Sequence, residues 1–177
     1  MKITLITPCS RPENIKSLES SLNFEYIHEW IIVYDGSKVN TFEKCENPKI
    51  KQYIFNLNGS IKGTAQRNFG INLVSSGYVY FLDDDNRLHP DFYAFLDTIE
   101  PGNIYTFDQE KIRLGNTICA YYIDTAQYLV DFDLPGVKNI KWENTLIHDG
   151  VYIEQVFSLH PTRWIYINKD LCYHNSR

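Results

Sequence analysis

Tyr78-Val79-Tyr80-Phe81-Leu82-Asp83-Asp84-Asp85-Asn86 sets five apolar residues directly before three carboxylates. An unbroken aromatic and β-branched run favours a strand buried on both faces. It therefore predicts an interior strand that delivers Asp83, Asp84 and Asp85 at its carboxyl end. Two carboxylates separated by one residue, Asp83 and Asp85, reach one hard cation from the same side. Mg²⁺ and Mn²⁺ take such oxygen ligands and usually share them with substrate phosphates. A merely solvated acidic turn competes with this, but like charges so close repel unless compensated.

Upstream, residues 2–7 alternate as a strand that stops at Pro8. Ser10, with Glu13 three positions on and Pro12 in the first turn, has the form of a capping box. Ile15, Leu18 and Leu22 continue that helix on one face. Residues 30–34 form a second buried strand ending in Asp35-Gly36-Ser37, and 51–57 alternate again before Asn58-Gly59. Residues 63–75 predict a helix, with Ala65, Phe69 and Leu73 spaced along it. Downstream, His89-Pro90-Asp91 opens a helix through Leu96. Two strands around Gly115 are expected within 103–124, then a helix over 125–132 and a loop over 134–147. A helix over 149–159 and one or two closing strands over 163–173 complete the chain. Alternating strands and helices through the first half are the signature of a parallel sheet covered on both faces. Ligands of such sheets sit outside the carboxyl ends of the strands. The turns Thr7-Pro8, Asp35-Gly36 and Asp83 to Asp85 should converge there.

At 177 residues the chain suits one domain with a buried core. Its aromatics, thirteen tyrosines included, fit a sheet core better than a stacking surface. A net charge of -5 without a Lys/Arg cluster argues against nucleic acid as partner. Cys9, Cys45, Cys119 and Cys172 lie far apart, so they read as reduced thiols and not as a disulfide framework or zinc site. The stretch before Pro8 is too short for a signal-peptide core, and no apolar run is long enough to span a membrane. The expectation is a cytoplasmic protein without a transmembrane segment.

Five elements then agree in order and spacing. They are Thr7-Pro8 with Arg11-Pro12-Glu13, Asp35-Gly36-Ser37, Gly63-Thr-Ala-Gln-Arg67-Asn68-Phe-Gly70-Ile71, Asp83-Asp84-Asp85 after Gly77, and His89-Pro90-Asp91-Phe92. Together they resemble the family 2 glycosyltransferases of the GT-A fold over residues 1–100. The resemblance implies an α/β GT-A (nucleotide-diphospho-sugar transferase) fold, a single Rossmann-like, mostly parallel sheet flanked by helices. It implies one domain over 1–177, with a nucleotide-sugar donor half at 1–100 and an acceptor and catalytic-base half at 101–177. Thr7, Pro8 and Arg11 would line base and ribose, and Asp35 would hydrogen-bond uracil or an equivalent base. Arg67 would sit near the diphosphate or brace the acidic turn, on a helix that Gly63 opens at the donor site. Asp83 would contact ribose or the water shell of the metal, Asp84 the donor sugar or ribose, and Asp85 would ligate the metal.

Fewer residues match in the second half. Inverting family members carry an acidic pair at a helix start, often Glu-Asp, whose Asp takes the acceptor proton. His148-Asp149-Gly150 stands in that place, making Asp149 the candidate base, with Glu154 and Glu143 as alternatives. An Asp there also suits a plain cap. Cys172-Tyr173-His174-Asn175 resembles the family's C-terminal histidine, which completes the metal shell or touches the diphosphate. His89, His148 and His160 have no such context and read as structural or surface residues.

The implied reaction moves a sugar from a nucleotide-diphosphate sugar, a UDP-sugar by preference, to a hydroxyl of a glycan or small-molecule acceptor. It inverts the anomeric centre and uses Mn²⁺ or Mg²⁺. Trp142, Tyr121 and Tyr122 either stack on that acceptor or pack a core. Three alternatives share these features: an inactive nucleotide-sugar binding module, a retaining glycosyltransferase and a nucleotidyltransferase of the same fold. Haloacid dehalogenase phosphatases also carry D-x-D, but on their first strand and followed by Thr, where Asn86-Arg87 stands here. Nothing in the sequence sets an oligomeric state.

Overall fold

Strand β1 (Ile3–Cys9) pairs in parallel with β2 (Glu29–Asp35) on one side and with β4 (Tyr78–Phe81) on the other. The computed structural model describes residues 1–56, 61–110 and 113–174. Beyond β2 lies β3 (Ile50–Phe55), again parallel. Beyond β4 come β7 (Tyr128–Asp131), β6 (Ile104–Gln109), β8 (Trp164–Tyr173) and the short β5 (Arg87–Leu88). The order is β3-β2-β1-β4-β7-β6-β8-β5, and four of the seven pairings are parallel. The mostly parallel α/β sheet read from the sequence is the one observed.

Successive strand residues face opposite sides, and here both sides are covered. Leu5, Ile32 and Tyr80 join one core with Ile15 and Leu18 of α1 (Ile15–Ser21) and Phe92 and Phe95 of α3 (Asp91–Leu96). Ile6, Val33, Val79 and Phe81 join the other with Ile71 of α2 (Thr64–Leu73) and Tyr152, Ile153 and Val156 of α4 (His148–Leu159). Double coverage explains why the strands read as continuous apolar runs. It also leaves the polar strand ends as the place where chemistry can gather.

Three local expectations are corrected. The helix over 125–132 is a single 3-10 turn, Thr125–Gln127, closed by a capping box between Asp124 and Gln127. β7 follows directly, antiparallel to both β4 and β6. Tyr128 and Val130 enter one core and Leu129 the other, so burial on both faces overrides the helical pattern. After Gly115 no second strand forms among the described residues. The segment is tied to β6 by Thr106 Oγ1 donating to the Gly115 carbonyl (2.6 Å) and by the Gly115 N–H donating to Asp108 Oδ1 (2.8 Å). Ser10 does not cap α1: its N–H and its hydroxyl both turn to Asp84 Oδ2, at 2.7 and 3.5 Å. A 3-10 turn over Pro12–Asn14 leads into α1 instead. The turn expected at Asn58-Gly59 lies outside the described residues. Among the described residues no helix is long and apolar enough to cross a membrane.

Candidate active site

The carboxyl ends of β1, β2 and β4 open into a cavity of about 470 Å³. Pro8, Arg11, Asp35, Gly63, Arg67, Asp83, Asp84, Asp85, Asp149 and His174 all line it. Thr7 does not. It is fully buried, and its Oγ1 accepts the Trp30 indole N–H at 2.8 Å. The side chain that alternates inward at this register has left the cavity to Pro8. Gly63 holds φ at +79°, and a Cβ there would lie 2.6 Å from Pro8 Cβ, so only glycine lets the start of α2 approach the end of β1.

Two arginines compensate the three adjacent carboxylates. Arg11 donates through Nε to Asp84 Oδ1 (2.9 Å) and pairs through Nη2 with the same oxygen, while its Nη1 reaches Asp85 Oδ2 at 2.8 Å. Asp84 is 4% exposed, and the N–H groups of Ser10 and Arg11 occupy its other oxygen. With both oxygens engaged, Asp84 ties the β1 loop to the acidic turn, in place of the donor contact expected of it. Asp83 pairs with Arg67 Nη2. Arg67 is 2% exposed; its Nη1 donates to the Lys62 carbonyl at 2.8 Å, and its guanidinium lies 4.5 Å over the Trp142 ring. Asn68 fixes that tryptophan through reciprocal hydrogen bonds with its backbone, at 2.8 and 2.9 Å. Burial pushes the Asp83 carboxyl up to about 7; Arg67 opposes this, and Asp149 and Asp124 reinforce it.

Of the two readings open for Trp142, core packing is the one observed. It is buried and stacks on Tyr152 at 4.8 Å. Tyr121 and Tyr122 are exposed.

Asp149 lies in the first turn of α4, whose N-cap is Ile147 without a side-chain cap. Its Oδ1 accepts Thr125 Oγ1–H and lies 3.1 Å from His148 Nε2. Oδ2 has no hydrogen-bond partner among the described residues. The alternative bases are committed elsewhere: Glu154 accepts the Ala120 N–H at 2.9 Å, and Glu143 accepts from Gln155. The loop carrying Ala120 packs so closely on α4 that a Cβ at Gly150 would meet Ala120 Cα at 2.2 Å. Because backbone must shift to admit it, Gly150→Ala should cost about 1–3 kcal/mol. A urea melt of the variant checks this, and an unchanged midpoint would refute the close contact.

Asp124, His148, Gln66 and Lys62 also line the cavity but were not singled out as site residues. For Asp124 the D-x-x-Q capping pattern was the available signal, and for His148 its place one residue before the candidate base. The donors Asp83, Asp85 and His174 suit Mn²⁺ or Mg²⁺ chemically and all line the cavity. Among the described residues no three His, Cys, Asp or Glu side chains converge as a ready-made cage. A cation here would therefore draw further oxygens from substrate phosphates and water, as such sites commonly do.

Residues 12–128 match the model of the family described as Glycosyl transferase family 2. Over 123 residues the chain is 32% identical to Glycosyltransferase GlyA of Streptococcus pneumoniae, an alignment covering 62% of this chain and 18% of that relative. TarS 1-349 of S. aureus in complex with UDP is similar with a TM-score of 0.70 and 18% identity, over 98% of this chain and 60% of that one. Glucosyl-3-phosphoglycerate synthase from Mycobacterium tuberculosis, in complex with Mn²⁺, UDP and glucosyl-3-phosphoglycerate, follows with a TM-score of 0.63 and 13% identity, over 99% of this chain and 72% of that one. The chain thus spans under a fifth of the length of its curated relative and about three fifths of TarS 1-349. At these identities the solved structures speak for the fold, which is that of GT-A glycosyltransferases. A family pattern matched across most of the chain, on a sheet of that architecture, makes this chain a member of glycosyl transferase family 2.

Proposed function

We propose that the chain is one catalytic domain over 1–177 that transfers a sugar from a UDP-sugar to an acceptor hydroxyl, with inversion and with Mn²⁺ or Mg²⁺. The observation that carries this is the single cavity shared by the acidic end of β4, Arg67 and Asp149. TarS has been seen with UDP and with UDP-GlcNAc, and glucosyl-3-phosphoglycerate synthase with UDP and Mn²⁺. Asp35, at the end of β2, and Pro8, at the end of β1, are the base-binding wall. Asp85, Asp83 and His174 would hold the cation, which when bound supplies positive charge against the diphosphate. Arg67, buried and charged, stabilises the leaving nucleoside diphosphate and holds the acidic turn in place. Asp149 takes the proton of the acceptor hydroxyl through its free Oδ2. The acceptor, a glycan or small molecule, lies on the side of the cavity built by residues 101–177. A cytoplasmic setting suits a nucleotide-sugar enzyme whose four cysteines are all unpaired.

Thermal melting with UDP, GDP, dTDP and CDP, each with and without Mn²⁺, tests the donor class. UDP with Mn²⁺ should raise stability by about 2.7 kcal/mol at a hundred times its dissociation constant. Asp85→Ala should lose the Mn²⁺-dependent part of that gain. No shift with any nucleotide would overturn the assignment, and a retained anomeric configuration in the product would remove inversion.

A further inference from the structure

The loop between β6 and the Thr125–Gln127 turn exposes two large apolar side chains, Leu114 at 60% and Tyr122 at 67%. That loop is not slack. The Gly115 carbonyl and N–H are held by Thr106 and Asp108 of β6, at 2.6 and 2.8 Å. The Ala120 N–H is held by Glu154 of α4. The N–H groups of Tyr122 and Ile123 close a turn on the Cys119 carbonyl, at 2.9 and 3.2 Å, and Ile123 is buried in the core. Tyr122 therefore stands between two inward anchors. Its ring is held out at a fixed place, with apolar area left in water that folding alone does not require.

Tyr122 and Leu114 line a groove of about 470 Å³ together with Arg113, Asn116 and Thr117. The ring and the isobutyl group supply apolar surface, and a guanidinium, an amide and a hydroxyl supply donors and acceptors beside it. Asn116 and Thr117 are both exposed, with their side chains 3.3 Å apart. A ligand that fits has a flat C–H face and hydroxyl groups around its edge, which is the chemistry of a pyranose ring. The groove adjoins the catalytic cavity. Arg113 lines the groove, Asp124 lines the cavity, and the two side chains are 3.9 Å apart. Thr125, the next residue, donates to Asp149. The way from the candidate base to the groove thus runs past Asp124 and Arg113.

We propose that this groove is an acceptor subsite, which binds the sugar unit next to the one that is glycosylated. This rests on the glycosyltransferase reading given above and narrows its acceptor to a glycan of at least two sugar units. Tyr122 stacks on the second ring, and Asn116 and Thr117 bind its hydroxyl groups. The pair Arg113 and Asp124 presents polar groups to the linkage between the two sugars. Holding the second unit places the hydroxyl of the first toward Asp149, so the groove serves acceptor binding and not donor binding.

Transfer from a UDP-sugar to methyl glycosides of glucose, galactose and N-acetylglucosamine, and to methyl disaccharides built from them, tests the subsite. The best disaccharide should exceed its own terminal monosaccharide in kcat/KM by about tenfold, through KM. Tyr122→Ala should remove that advantage, and Tyr122→Phe, which keeps the ring face, should retain it. The ring is exposed, so a urea melt of Tyr122→Ala should match the wild type. Equal kcat/KM for the two acceptors, or an advantage unchanged in Tyr122→Ala, would overturn the subsite and leave the transferase reading standing. Saturation-transfer NMR with the same disaccharides, without donor, gives a readout that needs no turnover. Wild-type protein that binds none of them would overturn the subsite as well. Binding that depends on Tyr122, in a protein that neither binds UDP nor transfers sugar, would count against the assigned reaction instead. A wild-type dimer in sedimentation that dissociates in Tyr122→Ala would give the groove to a second copy of the chain and overturn the proposal.

Discussion

Asp149→Asn lowers kcat by about 10²–10⁴-fold, the range a positioned general base contributes, and leaves donor binding in place. Asparagine keeps the size of the side chain and can still accept the Thr125 hydroxyl through its carbonyl oxygen. The first turn of α4 does not depend on the carboxylate as a cap, so the helix should hold. What is lost is the ability of Oδ2 to take a proton. Steady-state kinetics with the best acceptor should therefore show a fall in kcat, with UDP still stabilising the variant in the presence of Mn²⁺. A variant with wild-type kcat would remove Asp149 from the chemistry and leave Glu154 or Glu143 to be tested. Both of those are held in contacts outside the cavity.

Above pH 7, Arg67→Met costs about 1–3 kcal/mol, because it leaves the half-buried Asp83 carboxylate without the guanidinium that pairs with it. The methionine keeps much of the packing over Trp142, so the loss falls mainly on charge. Its pH dependence follows from Asp83. In the wild type, burial holds that carboxyl at about 7, far above its value of 3.8 in an unfolded chain. Between these values the folded state binds the extra proton, so metal-free stability falls as pH rises toward 7. Arg67 lowers the folded value, and removing it raises that value further. Below 7 Asp83 is then neutral in both proteins and the difference is small. Above 7 only the variant goes on losing stability. Urea melts without metal should thus show a wider gap between the two proteins at pH 8 than at pH 6. A gap independent of pH would mean that Asp83 and Arg67 are not coupled.

These two residues illustrate how far the sequence reaches. Arg67 and Asp83 stand 16 positions apart, and each was legible from its own motif, Arg67 on a glycine-opened helix and Asp83 after an apolar strand. Their contact was not, because it depends on α2 lying against the parallel sheet. Asp84 was visible as part of the acidic turn, yet its partners Ser10 and Arg11 are 74 and 73 positions away. Nothing in the local pattern tells which of three consecutive aspartates will turn inward to meet them.

Two periodicities and a few strand-end residues determined the larger part of this protein. Unbroken apolar runs specified the interior strands, and alternation with helical spacing specified a sheet covered on both faces. The polar residues that end those strands specified where a ligand would meet the protein. Tertiary structure alone decided which side chains enter the cavity. Thr7 went to the Trp30 indole, Trp142 went beneath Arg67, and 128–131 became a strand because β4 and β6 offered it hydrogen bonds and two apolar faces. His148 was buried against Trp142, with its Nδ1 on the Thr145 carbonyl. Local patterns fix what a residue can do, whereas a buried polar group takes the partner that the assembled elements present, and that partner is set by distance in space.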